Sequence, residues 1–366
     1  FKQKTAYEIG VRLVGSEMCI RDRYRTKLGL IGAGTIGKRH LQAITEVTEA
    51  EVVAIVDTDP LAESIAIESN VSFFASVSQM LKDKQPQGVI VCTPTEDHLE
   101  PVLSSLEHNA HVLVEKPIAP SLEEAQQIIE VSKGFNRQVL VGHHRRYSEE
   151  MQQTKRVIEI GVLGELVGIT GIWAVRKADS YFEPEWRKQQ TSGPVLINLI
   201  HEIDTLRYLC GEIVSLSAKV SKGIRAHPKE ETTALLFEFQ SGALGTFLLS
   251  DVTPSPWTWE QATGENPNFP KTSQNVYRFI GSKASLDFPN LVLWRHTGSD
   301  PDWLHEISPE VVEAKMVDAY AEQIRHFCAV INGKEQPRIS AMDATKTLKA
   351  TLAVFEASEK GAEIHL

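Results

Sequence analysis

Cysteine is scarce: 366 residues contain four, Cys19, Cys92, Cys210 and Cys328, and none forms a C-x-x-C pair. That spacing excludes a disulfide framework and a cysteine zinc site, and it fits a reducing cytoplasm. No apolar run approaches the roughly eighteen residues that a membrane-spanning helix needs, so no membrane partner is expected. Positive charge is short too. Lys and Arg number 38 against 48 Asp and Glu, a formal net charge of -10, and a chain without a basic face is a poor nucleic-acid binder. No histidine–carboxylate spacing resembles a metal site, and neither repeats nor low-complexity segments occur. What remains is an ordinary globular composition, 42% hydrophobic and 23% charged, long enough for two domains with a core each.

The first stretch, residues 1–23, does not read like the rest. Glu8, Arg12, Glu17, Arg21, Asp22 and Arg23 interrupt every apolar pair, which excludes the uninterrupted core of a secretory signal. The string from Tyr7 to Arg23 resembles a translated sequencing adapter. Residues 1–23 are therefore expected to be a non-native or disordered extension, and they are set aside.

The organising stretch is Lys27 to His40, K-L-G-L-I-G-A-G-T-I-G-K-R-H. Leu28, Leu30 and Ile31 form a short apolar run suited to a buried parallel strand. It enters the turn Gly32-Ala-Gly34-Thr35-Ile36-Gly37, after which a helical stripe follows. Gly32 permits the tight turn, Gly34 lets backbone approach a pyrophosphate, and Gly37 lets helix pack on strand. The helix N-terminus offers unpaired N–H groups and positive dipole to phosphates. A second apolar run, Val52 to Val56, ends in Asp57, twenty positions after Gly37, where a ribose-binding acid belongs. Thr58, Asp59 and Pro60 supply no arginine for a 2′-phosphate, so the expected cofactor is NAD.

Strand and helix alternate onward through Phe73-Phe74, Gly88 to Cys92, His111 to Val114 and Val139 to Val141. Six such strands predict a doubly wound parallel sheet, a Rossmann domain over residues 24–146. Beyond Tyr147 the rhythm changes. Strand-like runs follow at 165–175, 214–220, 232–239, 243–249, 276–280, 285–288 and 291–295, mostly without helices between them. They predict an α+β domain over 147–366 with an open, mainly antiparallel sheet. A helix is expected from Pro194 to Cys210, with Asn198, His201, Asp204 and Thr205 on its polar side. Asp251 to Gln274 reads as a long loop, and helices at 317–332 and 342–360 close the chain.

Three stretches now converge: Gly32 to Gly37, Glu115-Lys116-Pro117 after the fifth strand, and Ile200-His201-Glu202-Ile203-Asp204. Together they resemble the Gfo/Idh/MocA oxidoreductases, over roughly Lys27 to the C-terminus. The resemblance implies a Rossmann domain joined to an open antiparallel sheet, acting on sugars, cyclitols and related alcohols with a nicotinamide cofactor. It implies a catalytic and cofactor-positioning role for Lys116. A lysine at the carboxyl end of such a strand can hydrogen-bond an alcohol or carbonyl oxygen. Histidine titrates near neutrality, which suits His201 to proton exchange with a substrate hydroxyl. One departure stands out. Many members carry an aspartate four residues before this histidine, and Ile197 occupies that place; either Asp204 orients the ring or the work shifts to Lys116.

The candidate cofactor contacts are Gly32, Gly34, Thr35, Ile36, Gly37, Asp57, Thr93, Pro94, His98, Glu115, Lys116 and His144. The candidate substrate contacts are Lys116, Arg145, Trp186, Arg187, Asn198, His201 and Trp257, the aromatic faces being suited to sugar rings. The expected activity is a cytoplasmic NAD-dependent dehydrogenase or reductase of a sugar, cyclitol or similar polyol, with no metal. Alternatives are a dehydrogenase of a non-sugar cyclic diol and a non-catalytic NAD-binding sensor. An open sheet leaves a face to cover, so a homodimer or homotetramer is expected.

Overall fold

A computed structural model describes residues 25–298 and 302–366; the segment 1–23 lies outside them. The chain divides into two compact units. One comprises the described residues up to Gly142 together with Tyr320–Ala341; the other comprises His143–Ala319 and Met342–Leu366.

The first unit contains β1 (Thr26–Ile31), β2 (Ala50–Val56), β3 (Ser72–Phe74), β4 (Gly88–Val91), β5 (His111–Val114) and β6 (Val139–Val141). They form a parallel sheet in the order β3-β2-β1-β4-β5-β6, with the doubly wound reversal between β1 and β4. The strands read as continuous apolar runs because both faces are covered: every residue of β4 is buried. Leu28, Leu30, Ile55, Ile90, Leu113 and Leu140 share one core with Ala43 and Ile44 of the helix Thr35–Thr45.

That core also takes Tyr320, Ala321, Ile324, Phe327 and Cys328 from the helix Ala319–Ile331. The expected division at 146/147 therefore shifts. The chain returns to the first unit near its end, because this helix spaces its large apolar residues three or four apart and needs a sheet to cover. Gly88 makes room for it: a Cβ there would lie 2.6 Å from Ile331 and 2.9 Å from Phe327.

The second unit holds β7 (Leu166–Arg176), β8 (Ile213–Ser221), β9 (Thr232–Phe239), β10 (Leu244–Ser250), β11 (Val252–Trp257), β12 (Tyr277–Gly281), β13 (Ser285–Phe288), β14 (Val292–His296), β15 (Ile307–Val311) and β16 (Ile364–His365). Their order is β15-β14-β13-β12-β7-β10-β9-β8-β16, with β11 on β7. Pairing is antiparallel except for β10 against β7, so the sheet is mixed. The parallel pair follows from a crossover that carries a helix, β8 and β9 between the two strands. Phe237, Phe239, Phe247, Trp173, Tyr277 and Phe279 face inward onto Leu199, Ile203, Leu206 and Val354 of two helices. On the other side Leu236, Leu244 and Leu248 are exposed.

Two local expectations change. The stretch 251–274 contains β11 and a short helix, Trp259–Thr263, whose Thr258 hydroxyl caps it at Gln261 N–H, 3.1 Å. Pro254 and Pro256 hide the strand, which keeps ladder partners only at its ends, Val252 with Arg176 and Trp257 with Ala174. The stretch after Pro194 opens as a π-helix, Val195–Leu199, before the α-helix Ile200–Cys210. Glu230 accepts Val195 N–H at 2.8 Å, and only glycine at 193 clears that carboxylate, since a Cβ would lie 2.2 Å from it. Among the described residues no helix is long and apolar enough to cross a membrane.

Candidate active site

In the first unit the glycine turn is built as expected. Gly32 has φ +89°, and a Cβ would meet Cys92 backbone at 2.8 Å. At Gly37 a Cβ would press to 2.0 Å from the Gly32 carbonyl, so helix and turn touch only because it is glycine. Gly34 differs. Among the described residues nothing lies within 4 Å of a Cβ there, so its bareness serves the open space in front of it, a cradle that a side chain would fill. No side chain among the described residues caps the helix Thr35–Thr45 at Gly34, which leaves its first N–H groups, with Thr35 and the exposed Ile36, toward that space. Asp57 braces the turn. Its Oδ2 accepts Ala33 N–H at 2.7 Å and its Oδ1 accepts Asp59 N–H at 2.9 Å, while each oxygen keeps a lone pair for a further donor.

The Glu115-Lys116-Pro117 turn is held from several sides. Glu115, 7% exposed, accepts His40 Nε2 at 2.8 Å and the Lys116 N–H at 3.2 Å. A Cβ at Gly142 would lie 2.7 Å from the same carboxylate. His98 is buried with Nδ1 2.9 Å from the Pro117 carbonyl and Nε2 3.0 Å from the Thr93 carbonyl. Burial lowers the pKa of His98. A neutral ring donates to only one of these carbonyls at a time. Its imidazole joins the two strand ends; Thr93 and the exposed Pro94 form the rim between them. Lys116 is half-buried beside them.

The second unit gathers histidines. The 3-10 turn His144–Tyr147, with His143 before it, packs against the helix Ile200–Cys210. The His201 ring meets His144 edge-to-face at 5.6 Å between centroids and His143 at 6.3 Å. His144 Nε2 donates to Glu265 Oε1 at 2.7 Å, and Trp259 Nε1 donates to the other Glu265 oxygen. Burial alone would raise the Glu265 carboxyl; His144, Trp259 and Arg145 outweigh it and hold it at about 2.

His144 and Arg145, read from sequence as the end of the Rossmann half, belong to the second unit because their partners do. Arg145 is 2% exposed. It donates to Glu202 at 2.6 Å and Glu260 at 3.1 Å and lies over the Trp259 ring. Asp204 places its two oxygens on Arg146 at 2.6 and 2.8 Å and stands 3.8 Å from His143. Burial would raise that carboxyl as well, but Arg146 and His143 hold it at about 2. Of the expected polar side of this helix, Asp204 and Thr205 are buried and Asn198 and His201 half-buried; Asp204, like the buried Glu202 and Arg207 beside it, has a charged partner in place of water.

The remaining candidates lie apart from this cluster or at its edge. Asn198 is half-buried and its Oδ1 accepts Lys177 Nζ at 2.9 Å. Arg187 sits over Tyr181 at 4.3 Å and Trp186 at 5.1 Å, and Trp186 is 58% exposed. Trp257 is 39% exposed at the end of β11. Sequence reasoning missed His40, Lys177 and Glu265. Glu265 has no pattern around it, while Lys177 reads as one of two exposed cations after a strand. Among the described residues no group of three His, Cys, Asp or Glu side chains could hold a metal ion.

Residues 26–143 match the model of an oxidoreductase family with an NAD-binding Rossmann fold, and 155–366 match the C-terminal α/β domain of the same family. The chain belongs to the Gfo/Idh/MocA oxidoreductases. Among relatives in this family is the scyllo-inositol 2-dehydrogenase (NAD(+)) of Bacillus subtilis, 26% identical over 94% of this chain and 97% of that one. Another is the rhizopine catabolism protein MocA of Rhizobium meliloti, 24% identical over 66% of this chain and 76% of that one. An Agrobacterium radiobacter oxidoreductase, solved with NAD+, L-tartaric acid and magnesium, shares the fold at TM-score 0.80 and 18% identity, over 93% of this chain and 98% of that one. NAD is the cofactor of this Gfo/Idh/MocA chain, and Gly34, the uncapped helix start and Asp57 fit its pyrophosphate and ribose. Where many members carry an aspartate, Ile197 stands. The carboxylates of the histidine cluster come from elsewhere, Glu265 on His144 and Asp204 beside His143.

Proposed function

We propose that this oxidoreductase moves a hydride between nicotinamide and a secondary alcohol carbon, or its carbonyl, of a sugar, cyclitol or similar polyol. The observation that carries the reading is the edge-to-face contact of His201 with His143 and His144, which Asp204 and Glu265 back in turn. Inositol dehydrogenases among the relatives support the substrate class. NAD, when bound, supplies the hydride acceptor. As the C–H electron pair leaves with its hydrogen, the hydroxyl proton passes to His201 and the C–O bond becomes a carbonyl. A general base at His201 is worth roughly 10²- to 10⁴-fold. Lys116 is the other candidate catalytic residue, its ammonium suited to stabilise negative charge developing on an oxygen. A screen of cyclitols and sugars for NADH formation by the purified protein tests the reading; a panel without any turnover overturns it.

The same proposal extends to assembly. Leu236, Leu244, Leu248 and Ile280 are exposed on one face of the mixed sheet, and an apolar face of this kind favours pairing with a second copy.

A further inference from the structure

Lys177 follows directly on β7, and its side chain is 12% exposed. An ammonium has three N–H donors. Among the described residues, one goes to Asn198 Oδ1 at 2.9 Å. The nearest carboxylate, Asp251, is 3.7 Å away and fully buried. Its Oδ2 already takes Lys229 Nζ at 2.9 Å, and its Oδ1 takes Arg225 at 3.0 Å.

The other carboxylates around the cluster are committed. Glu231 accepts the Ile224 and Arg225 N–H groups at 2.8 and 2.6 Å. Glu230 accepts Val195 N–H, and burial raises its pKa toward the neutral form. Glu260 is paired with Arg145, and Asp179 is 78% exposed beside Arg225. Three cations therefore share Asp251, and Lys177 has donors left over. The Tyr181 and Trp173 rings, 5.1 and 5.7 Å from Nζ, add cation–π attraction but no charge. Burial, with Lys229 and Arg225 against the pull of Asp251, pushes the Lys177 pKa down to about 8.

A desolvated ammonium short of counter-charge is costly unless something arrives to pair with it. Asn198, which holds this ammonium, stands three positions before His201, where the π-helical turn Val195–Leu199 runs on into the helix Ile200–Cys210. We propose that the substrate carries a carboxylate, received by Lys177 with Asn198 orienting the ammonium, while its reacting hydroxyl lies toward His201. The substrate is then a polyhydroxy acid rather than a neutral polyol. The inference narrows the reading above and rests on it only for the hydride step.

Calorimetric titration of the NADH-loaded protein with D-gluconate and D-glucuronate, against uncharged sorbitol and D-glucose, tests it. In the parent the acids bind roughly 10- to 100-fold tighter, the worth of a charge-assisted hydrogen bond. Lys177→Met closes that gap with NADH affinity kept, and Asn198→Ala narrows it. Acids no tighter than their uncharged counterparts in the parent overturn the inference, as does a gap that survives in folded Lys177→Met. The parent comparison decides even where a variant fails to fold. Turnover of neutral polyols with no acid preference sinks the inference and leaves the reaction standing. Acid binding through Lys177 with no NADH formed from any compound keeps the inference and sinks the reaction.

Discussion

His40 and Glu115, 75 positions apart in the chain, meet through a buried hydrogen bond of 2.8 Å. One side chain rises from the helix that follows the glycine turn. The other is the first residue of the Glu-Lys-Pro triplet, so the bond ties the two cofactor-side motifs of the Rossmann unit together. Gly142 closes over the same carboxylate. Lys116 thus inherits its place from its neighbour.

His40→Ala leaves that carboxylate buried without its imidazole partner. The expected loss is about 1–3 kcal/mol, the cost of an unsatisfied buried acceptor, read by chemical denaturation. His40→Gln, which keeps a donor, should lose less. Equal stability of parent and His40→Ala would show that the bond does not brace the turn.

Cofactor preference tests Asp57. It should accept the ribose hydroxyls with the lone pairs left over from Ala33 and Asp59 and repel a 2′-phosphate. Fluorescence titration should give tighter binding of NADH than of NADPH, and Asp57→Ala should narrow the gap by roughly 10-fold or more, the worth of a hydrogen bond to a charged group. Tighter NADPH binding by the parent contradicts the assignment.

The first sheet was legible because parallel strands buried on both faces are continuous apolar runs, as β4 is, and because Gly32, Gly37 and Asp57 obey spacing rules that backbone sterics impose. The return of Tyr320–Ala341 was not. A helical stripe shows that one face is buried, never against which core. The π-turn at Val195–Leu199 escaped for a related reason, since a reading at 3.6 residues per turn has no place for a wider one. His201 and Lys116 could be picked out by motif. The partners of Glu115, Asn198 and His144 could not, because His40, Lys177 and Glu265 come from distant segments and carry no local signal.

Glu265 supplies a pH test with a definite sign. Its carboxyl is held at about 2, below the ordinary value of about 4.3. The folded form therefore binds fewer protons than the unfolded chain between those values. Its contribution to stability is full above about pH 4.3 and is lost as pH falls toward 2. Denaturation of the parent against Glu265→Gln should show a gap that shrinks as pH falls from about 4.3 toward 2. A gap independent of pH would mean that Glu265 contributes through packing and not charge.

Light scattering addresses assembly. A homodimer or homotetramer is expected at micromolar concentration, and Leu244→Lys with Leu248→Lys on β10 should shift it toward monomer while the inward Phe247 and Leu249 keep the unit folded. A monomeric parent would leave the exposed leucines without the role proposed for them.

The final prediction separates an enzyme from a sensor and tests whether Lys116 and His201 serve one reaction. A hydroxyl that loses hydride from its carbon must also lose its proton as charge develops on oxygen. His201→Ala should lower turnover by roughly 10²- to 10⁴-fold while leaving NADH affinity near that of the parent, because His201 belongs to the unit without the glycine turn. Lys116→Met should cost at least as much, and should also weaken cofactor binding, because Lys116 follows β5 of the Rossmann sheet. If the two side chains act on the same oxygen, the double variant loses less than the product of the single losses. Losses that multiply would mean two independent contributions. A sensor behaves differently: parent and variants all bind NADH, and none turns over a polyol. If the parent turns over and both single variants keep full activity, the proton is handled elsewhere, and the histidine cluster around His201 serves packing alone.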